Sequence, residues 1–404
     1  MVGRKRRTFG SHRCLYCDHS FFIQAAGIFK PSAPPPSAKE IAQTVIAMQS
    51  DKKVEVLTEQ VGQLILAVEE LKNKQAEPDA PAGIDSALKE LEKGHTTKAE
   101  NIFRRILQDK VKEGEKANKE AAQAARHLGA LAFFHDTKGS LDAYQQAVEL
   151  DTGNSDGWNR LGHLQSRSGN LDAALQSYNQ VLRIGEAEGK KELLAIAYGN
   201  LGIIYKTRGD LDKAEEYYRK SLAIEKELGR KGGMASDYGN LGNIYQIRGD
   251  LDKAEEYHLK ALAIDEELGQ KEGMASDYGN LGIIYKTRGD LDKAEEYHKK
   301  ALAINEELGR KEGMARDYGN LGIIYQTRGD LDKAGQYYMK SLAIEKELGR
   351  KEGMASDYGN LGIIYQIRGD LDKAREAWEK SINLYLAIGA DPMVKKIQGW
   401  IDSL

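Results

Sequence analysis

From Leu194 to its C-terminus the chain repeats itself every 40 residues, most plainly in Tyr238-Gly-Asn-Leu-Gly-Asn-Ile-Tyr245, Tyr278-Gly-Asn-Leu-Gly-Ile-Ile-Tyr285 and Tyr318-Gly-Asn-Leu-Gly-Ile-Ile-Tyr325. A fixed period of this length marks a solenoid, in which each unit buries its apolar face only against its neighbours. Such a chain builds a long curved surface and seldom an enclosed reaction chamber, so binding is the expected function.

Composition narrows this further. All seven prolines lie outside the repeats, at Pro31, Pro34, Pro35, Pro36, Pro78, Pro81 and Pro392. The span between Pro81 and Pro392 is thus free of a residue that costs about 3 kcal/mol inside a helix, as a wholly helical array requires. The 59 Lys+Arg and 62 Asp+Glu give a net charge of −3, with both signs interleaved along the repeats. Nothing there draws nucleic acid or an anionic membrane, and no nucleic-acid partner is expected. No run approaches the roughly 20 apolar residues of a membrane span, so no membrane insertion is expected. The only cysteines, Cys14 and Cys17, leave the fold without disulfides, and a reducing, cytoplasmic location is the default. The basic start (Arg4, Lys5, Arg6, Arg7, Arg13) is followed by a segment, Leu15 to Phe29, that Asp18, His19 and Gln24 interrupt, so it does not read as a signal peptide.

Within one unit, Met274, Tyr278, Leu281 and Tyr285 fall on one stripe and predict a helix, A, over Met274 to Arg288. Gly289-Asp290 makes the turn, with Asp290 as N-cap. Helix B runs from Leu291 to Leu308, with Leu291, Ala294, His298, Ala301 and Leu308 inward, and Gly309 ends it. Arg310 to Gly313 leads into the next unit. Glu295 with Lys299 and Glu296 with Lys300 are i,i+4 pairs on the outer face.

This helix-turn-helix unit resembles the tetratricopeptide repeat. The aromatic, Leu, Gly, aromatic, Gly, Ala, aromatic and Ala positions of that family fall on Tyr238, Leu241, Gly242, Tyr245, Gly249, Ala254, His258 and Ala261. His258 and His298 replace the usual aromatic, and the proline that often closes the unit is missing. The 40-residue length resembles the longer repeats of kinesin light chains and of the spindle-orientation adaptors with Leu-Gly-Asn repeats. The resemblance implies an all-α, right-handed superhelical solenoid of helix-turn-helix units. Six units occupy 155–389, starting near Ser155, Ala195, Ala235, Ala275, Ala315 and Ala355.

Around this array the chain divides as follows. Residues 1–40 are basic and proline-containing, without helical periodicity. Residues 41–77 carry a heptad seam, Val54, Leu57, Val61, Leu64, Val68 and Leu71, which suits either a short coiled coil, giving a homodimer through 54–71, or an amphipathic helix docking on the first repeat. Residues 78–83 are a linker. Residues 84–154 read as two degenerate units, one with Gly94, Ala99, Phe103 and Ile106, the other with Leu128, Gly129, Tyr144 and Ala147. Residues 390–404 form a capping helix, with Asp391-Pro392 as N-cap and N1, and with Met393, Ile397, Trp400 and Ile401 covering the open end.

On the side of helix A away from the core stripe, stacking the units creates an asparagine row, Asn200, Asn240, Asn280, Asn320 and Asn360. Beside it runs an isoleucine row, Ile203, Ile283, Ile323 and Ile363, which Asn243 interrupts. The family resemblance implies that this side lines a concave groove. Amides there can grip the backbone of an extended peptide while apolar neighbours take its side chains. A similar asparagine ladder occurs in O-GlcNAc transferase and in the spindle adaptors. The other reading is that the asparagines bond one another between adjacent A helices. Lys206 against Gln246, and Arg316 against Ser276, are among the few groove positions that differ between units.

Other motifs add little. Cys14 and Cys17 with His12 and His19 are a weak zinc candidate, since no second cysteine pair exists. His258 and His298 read as hydrogen-bonded core residues rather than metal ligands. Arg-Gly-Asp triplets at Arg208, Arg248, Arg288, Arg328 and Arg368 are the inter-helix turns and do not imply adhesion. No phosphate loop, H-E-x-x-H, nucleophile elbow or dinucleotide fingerprint occurs, so neither catalysis nor a cofactor is expected. The expected role is a non-catalytic scaffold or adaptor for an extended segment of a partner protein. The alternatives are a regulatory receptor for a short free peptide and a self-assembling structural protein.

Overall fold

A computed structural model describes residues 82–110, 115–133 and 136–404. The N-terminal segment, the heptad seam, and the Cys14, Cys17, His12 and His19 cluster lie outside the described residues. The described chain is all helix and folds as a right-handed superhelical solenoid. Its first four helices are α1 (Ala82–Glu92), α2 (Thr96–Lys110), α3 (Glu115–Ala132) and α4 (Thr137–Leu150). They enclose an apolar core around Ile84, Leu88, Phe103, Leu107 and Leu128.

Six helix pairs follow. In A-then-B order they are α5 (Ser155–Arg167) and α6 (Leu171–Glu188), α7 (Lys191–Thr207) and α8 (Leu211–Leu228), α9 (Lys231–Arg248) and α10 (Leu251–Leu268). Then come α11 (Lys271–Arg288) and α12 (Leu291–Glu307), α13 (Lys311–Thr327) and α14 (Leu331–Leu348), α15 (Lys351–Ile367) and α16 (Leu371–Leu386). A last helix, α17 (Asp391–Asp402), closes the array.

The local chemistry explains these bounds. Each A helix ends where a glycine takes the left-handed backbone, Gly289 with φ +82° for α11, and Asp290 then accepts the Lys293 amide at 3.1 Å to cap α12. Helix A starts earlier than its apolar stripe suggests, at Lys271 rather than Met274. Most of the segment read as a lead-in is therefore the first turn, and only Leu308-Gly309-Arg310 links α12 to α13. At the C-terminus the N-cap of α17 is Ala390, so Asp391 is its first helical residue and not its cap. Ile397 and Ile401 pack with Met393 and Trp400 on Ala355, Trp378 and Tyr385, closing the stack.

Inside a unit the two helices touch through a glycine. A Cβ on Gly282 would lie 2.7 Å from the His298 ring, so only glycine fits there. Leu281 and Ile284 are fully buried beside it. Across units, each A helix packs on the preceding B helix. Two ladders of ion pairs tie the helices together, the first across the joints and the second within each unit. Arg248 reaches Asp212 and Glu215, Arg288 reaches Asp252 and Glu255, and Arg328 reaches Asp292 and Glu295. At the other end of the helices Lys231 pairs with Glu267 and Lys271 with Glu307. The arginine of each of these Arg-Gly-Asp triplets is thus engaged by the previous unit, its glycine turns the chain, and its aspartate caps a helix.

Candidate binding groove

Successive A helices also touch one another directly, α5 on α7, α9 on α11 and α11 on α13, and no comparable packing joins the B helices. The A side is therefore the inner, shorter wall of the curve. Its exposed stripe follows from the period: with Tyr278, Leu281 and Tyr285 turned to the core, Ser276, Asn280, Ile283 and Thr287 face away from it.

Asn200, Asn240, Asn280, Asn320 and Asn360 are all half-buried along this wall. No two of the five are bonded to each other. The Asn200 amide donates to Asn159 of the preceding unit at 2.8 Å. Asn240 accepts from the Lys206 ammonium at 3.4 Å, and Asn320 accepts from Lys286 at 3.3 Å. Ile203 is 41% exposed; Asn243, Ile283, Ile323 and Ile363 are half-buried. The most exposed apolar side chains of the wall are Ile247 at 63% and Ile367 at 58%, in the place of Thr287. Reading the sequence stripe by residue type passed over these two, although the period shows each of them one helical turn beyond a stripe residue, Ile247 after Asn243 and Ile367 after Ile363.

Beyond the first turn of the A helices, charge on this wall is one-sided. Lys206 and Lys286 are half-buried, burial holds both ammonium groups below the ordinary lysine value, and neither is paired with a carboxylate. Sister units carry Gln246, Gln326 and Gln366 in the same place, and Gln326 is drawn in by the Tyr338 hydroxyl at 2.7 Å. Arg316 adds a further exposed cation where Ser236, Ser276 and Ser356 stand in other units. From α7 to α15 the stripe between the positions of Ser276 and Thr287 holds no aspartate or glutamate; the acids of this face, Glu192, Glu272, Glu312 and Glu352, sit one turn earlier, at the start of the A helices. Elsewhere the lysines and arginines of the repeats are largely matched by acids one unit or one turn away, as Lys220 is by Glu216 and Lys300 by Glu296. Gly279 is buried beside Arg316 and Asp317 of the next A helix.

His258 and His298 are fully buried, and each faces an aspartate of the next unit, Asp277 at 3.0 Å and Asp317 at 3.3 Å. Among the described residues no group of three His, Cys, Asp or Glu side chains is placed to hold a metal ion, and no helix is long and apolar enough to cross a membrane.

Stacked helix pairs, an inner wall of A helices and a periodic polar stripe define a helical-repeat interaction module. The tetratricopeptide repeat model matches residues 155–227, 234–307 and 314–387, and the chain belongs to that family. A comparison with curated proteins finds no match. Among solved structures the chain is similar to RapI in its apo form, at 18% identity and a TM-score of 0.54, over 67% of this chain and 99% of that one. It is also similar to a Rap protein complexed with Competence and Sporulation Factor, at 16% identity and a TM-score of 0.50, over 80% and 96%. BtubC (BKLC) from P. vanneervenii matches at 26% identity and a TM-score of 0.48, over 54% and 91%. The two Rap likenesses are likenesses of fold. This fold is typically a non-catalytic interaction module, and the repeats make the chain a protein-interaction scaffold in general terms.

Proposed function

We propose that the inner wall binds an extended, acidic segment of a partner protein, and that the chain works as a non-catalytic adaptor or scaffold. The observation that carries this reading is the pair Lys206 and Lys286, half-buried cations without a carboxylate partner near the C-terminal ends of A helices whose inner-face acids are confined to their first turn. A desolvated ammonium gains most from a partner's carboxylate, since a charge-assisted bond in a partly water-excluded groove is about twice as strong as a neutral one. Asn240 and Asn320, beside those lysines, offer donors and acceptors to peptide backbone, and Ile203, Ile247 and Ile367 offer apolar contact to its side chains.

Capture from native lysate tests this with three baits: wild type, N240A/N280A/N320A and K206Q/K286Q. The lysine substitutions install the residue that sister units already carry, so the fold tolerates them. A client lost from the asparagine variant and weakened about tenfold or more in the lysine variant, with helicity unchanged in both, is the expected result. Equal capture by all three baits refutes the groove.

A further inference from the structure

The joints between units arose by repetition, yet they bury different chemistries. Between α6 and α7 the joint is apolar: Tyr178, Val181 and Ala197 are buried, and Leu193 and Leu194 fill the space over Gly185. In the next four joints the sizes are exchanged. The place of Gly185 is taken by Glu225, Asp265, Asn305 and Glu345, and that of Leu193 by Gly233, Gly273, Gly313 and Gly353. A Cβ on Gly233 would lie 2.3 Å from Glu225, and one on Gly353 2.2 Å from Glu345, so the glycine seats the acid. Where the first joint has Ala197, these joints carry a buried aspartate, Asp237, Asp277, Asp317 or Asp357, a second acid in every joint but that of Asn305.

This aspartate is answered in two ways. In the α10/α11 and α12/α13 joints it meets a histidine, and Asn305 also donates to Asp317 at 2.8 Å. In the α8/α9 joint Asp237 faces Tyr218, Ser221 and Glu225 from α8, while Asp277 lies across Gly239 from α11. In the α14/α15 joint Asp357 faces Tyr338, Ser341 and Glu345 from α14 and Tyr385 from α16. The cations nearby belong to the glutamates: Arg230 lies 3.3 Å from Glu225, and Arg350 lies 3.6 Å from Glu345 and from Glu312. Neither aspartate has a cation partner, and Oδ2 of both Asp237 and Asp357 is buried without a hydrogen-bond partner.

We propose that the α8/α9 and α14/α15 joints are proton-operated: each closes around a protonated aspartic acid, Asp237 or Asp357, and loosens when that proton leaves. An ionised carboxylate there would be buried beside a second carboxylate, which the chain avoids by holding the proton. Burial pushes both aspartates up to about 7, with the serine hydrogen bond opposing and the neighbouring glutamate adding. The folded value is raised above the ordinary 3.8, so the native joint keeps a proton that the unfolded chain gives up. Its contribution to stability is complete below about 4, declines as pH rises, and is gone above about 7. The acids of the surface ladders respond in a separate window: hydrogen bonds from Tyr245, Arg248 and Arg219 overcome burial and hold Glu215 at about 2. Asn240 and Asn360 follow the two aspartates by one turn, so a loosened joint also moves the inner wall, a consequence that rests on the groove reading. The joints themselves can be tested without any ligand.

Hydrogen exchange of the full chain at pH 5.5, 6.5 and 8, corrected for intrinsic rates, reads each joint separately. Protection in residues 218–240 and 338–360 is expected to fall by on the order of tenfold per pH unit as the proton is lost, while residues 178–200 stay constant. Asp237→Asn should remove the response from 218–240 only, and Asp357→Asn from 338–360 only. Asn305 shows that an amide fits the neighbouring position, that of Glu225 and Glu345, in such a joint. As a second check, E225G/G233L/D237A installs the residues of the apolar first joint and should stay folded with no pH response. Constant protection in the wild type, an equal response at 178–200, or a response that survives both aspartate substitutions would overturn the proposal.

Discussion

Gly232 and Gly273 show how far one position along a helix changes what a residue does. A Cβ on Gly232 would meet only the end of Gln270 at 3.5 Å, and sister units place Glu192, Glu272, Glu312 and Glu352 there. Gly273, one step further round, would put its Cβ 1.8 Å from the buried Asp265 carboxylate. Gly232→Ala should therefore stabilise the chain by roughly 0.5–1 kcal/mol, because it removes backbone freedom from the unfolded state and meets no obstacle. Gly273→Ala should destabilise it by roughly 1–3 kcal/mol, because the acid must move out of a packed joint. Denaturant unfolding of the two variants side by side checks both signs. The distinction was not legible in the sequence. Gln270 to Gly273, like Arg310 to Gly313, reads as a lead-in to helix A, since glycine in a first turn looks like a linker until the acid that it seats is seen across the joint.

At the scale of the element, the Arg-Gly-Asp turns are alike in sequence but not in capping. Asp290 accepts the Lys293 amide, whereas Asp370 starts the last B helix without a side-chain cap bond. Asp290→Ala should cost about 1 kcal/mol and Asp370→Ala only a few tenths, as thermal melts of the two single variants would report. The helix pairs, the Asp290 cap and the A-to-B glycine contact at Gly282 were legible because local spacing specifies them, whereas Asp391 was misread as the cap of α17. The exposed stripe of the A helices was legible in part. The period alone puts Asn200 to Asn360 and Ile203 to Ile363 on one stripe. It does not separate Lys206 and Lys286 from the paired lysines of the outer face, because pairing spans 36 residues in Lys231 with Glu267 and is invisible within one helix. The buried acids were missed for a related reason. Asp237, Asp277, Asp317 and Asp357 read as surface charges by residue type, although each lies four residues before a buried leucine, and their recurrence opposite Glu225, Asp265, Asn305 and Glu345 hints that they meet.

Across the whole molecule, stability in a solenoid is close to a sum of unit terms and nearest-neighbour joint terms, so a unit can be removed if the new joint matches. Deleting 271–310 sets α10 against α13. His258 and Asp265 then face Asp317 with Gly313 between them, and Asp252 and Glu255 meet Arg328, so every contact class of the native joints is reproduced. Deleting 191–230 sets α6 against α9. Gly185 then faces Gly233, leaving a void that neither side fills, and Asp237 faces Val181 in place of Ser221 and Glu225. A void and an unanswered buried acid each cost about 1–3 kcal/mol. The first deletion should therefore melt in a single transition near the wild-type midpoint, with helicity reduced in proportion to its length. The second should lose the helices before the new joint at a lower temperature than the rest, giving two steps by circular dichroism. If the two shortened chains melt alike, the joints are interchangeable, and the pairing of acid with glycine has no part in holding the units together.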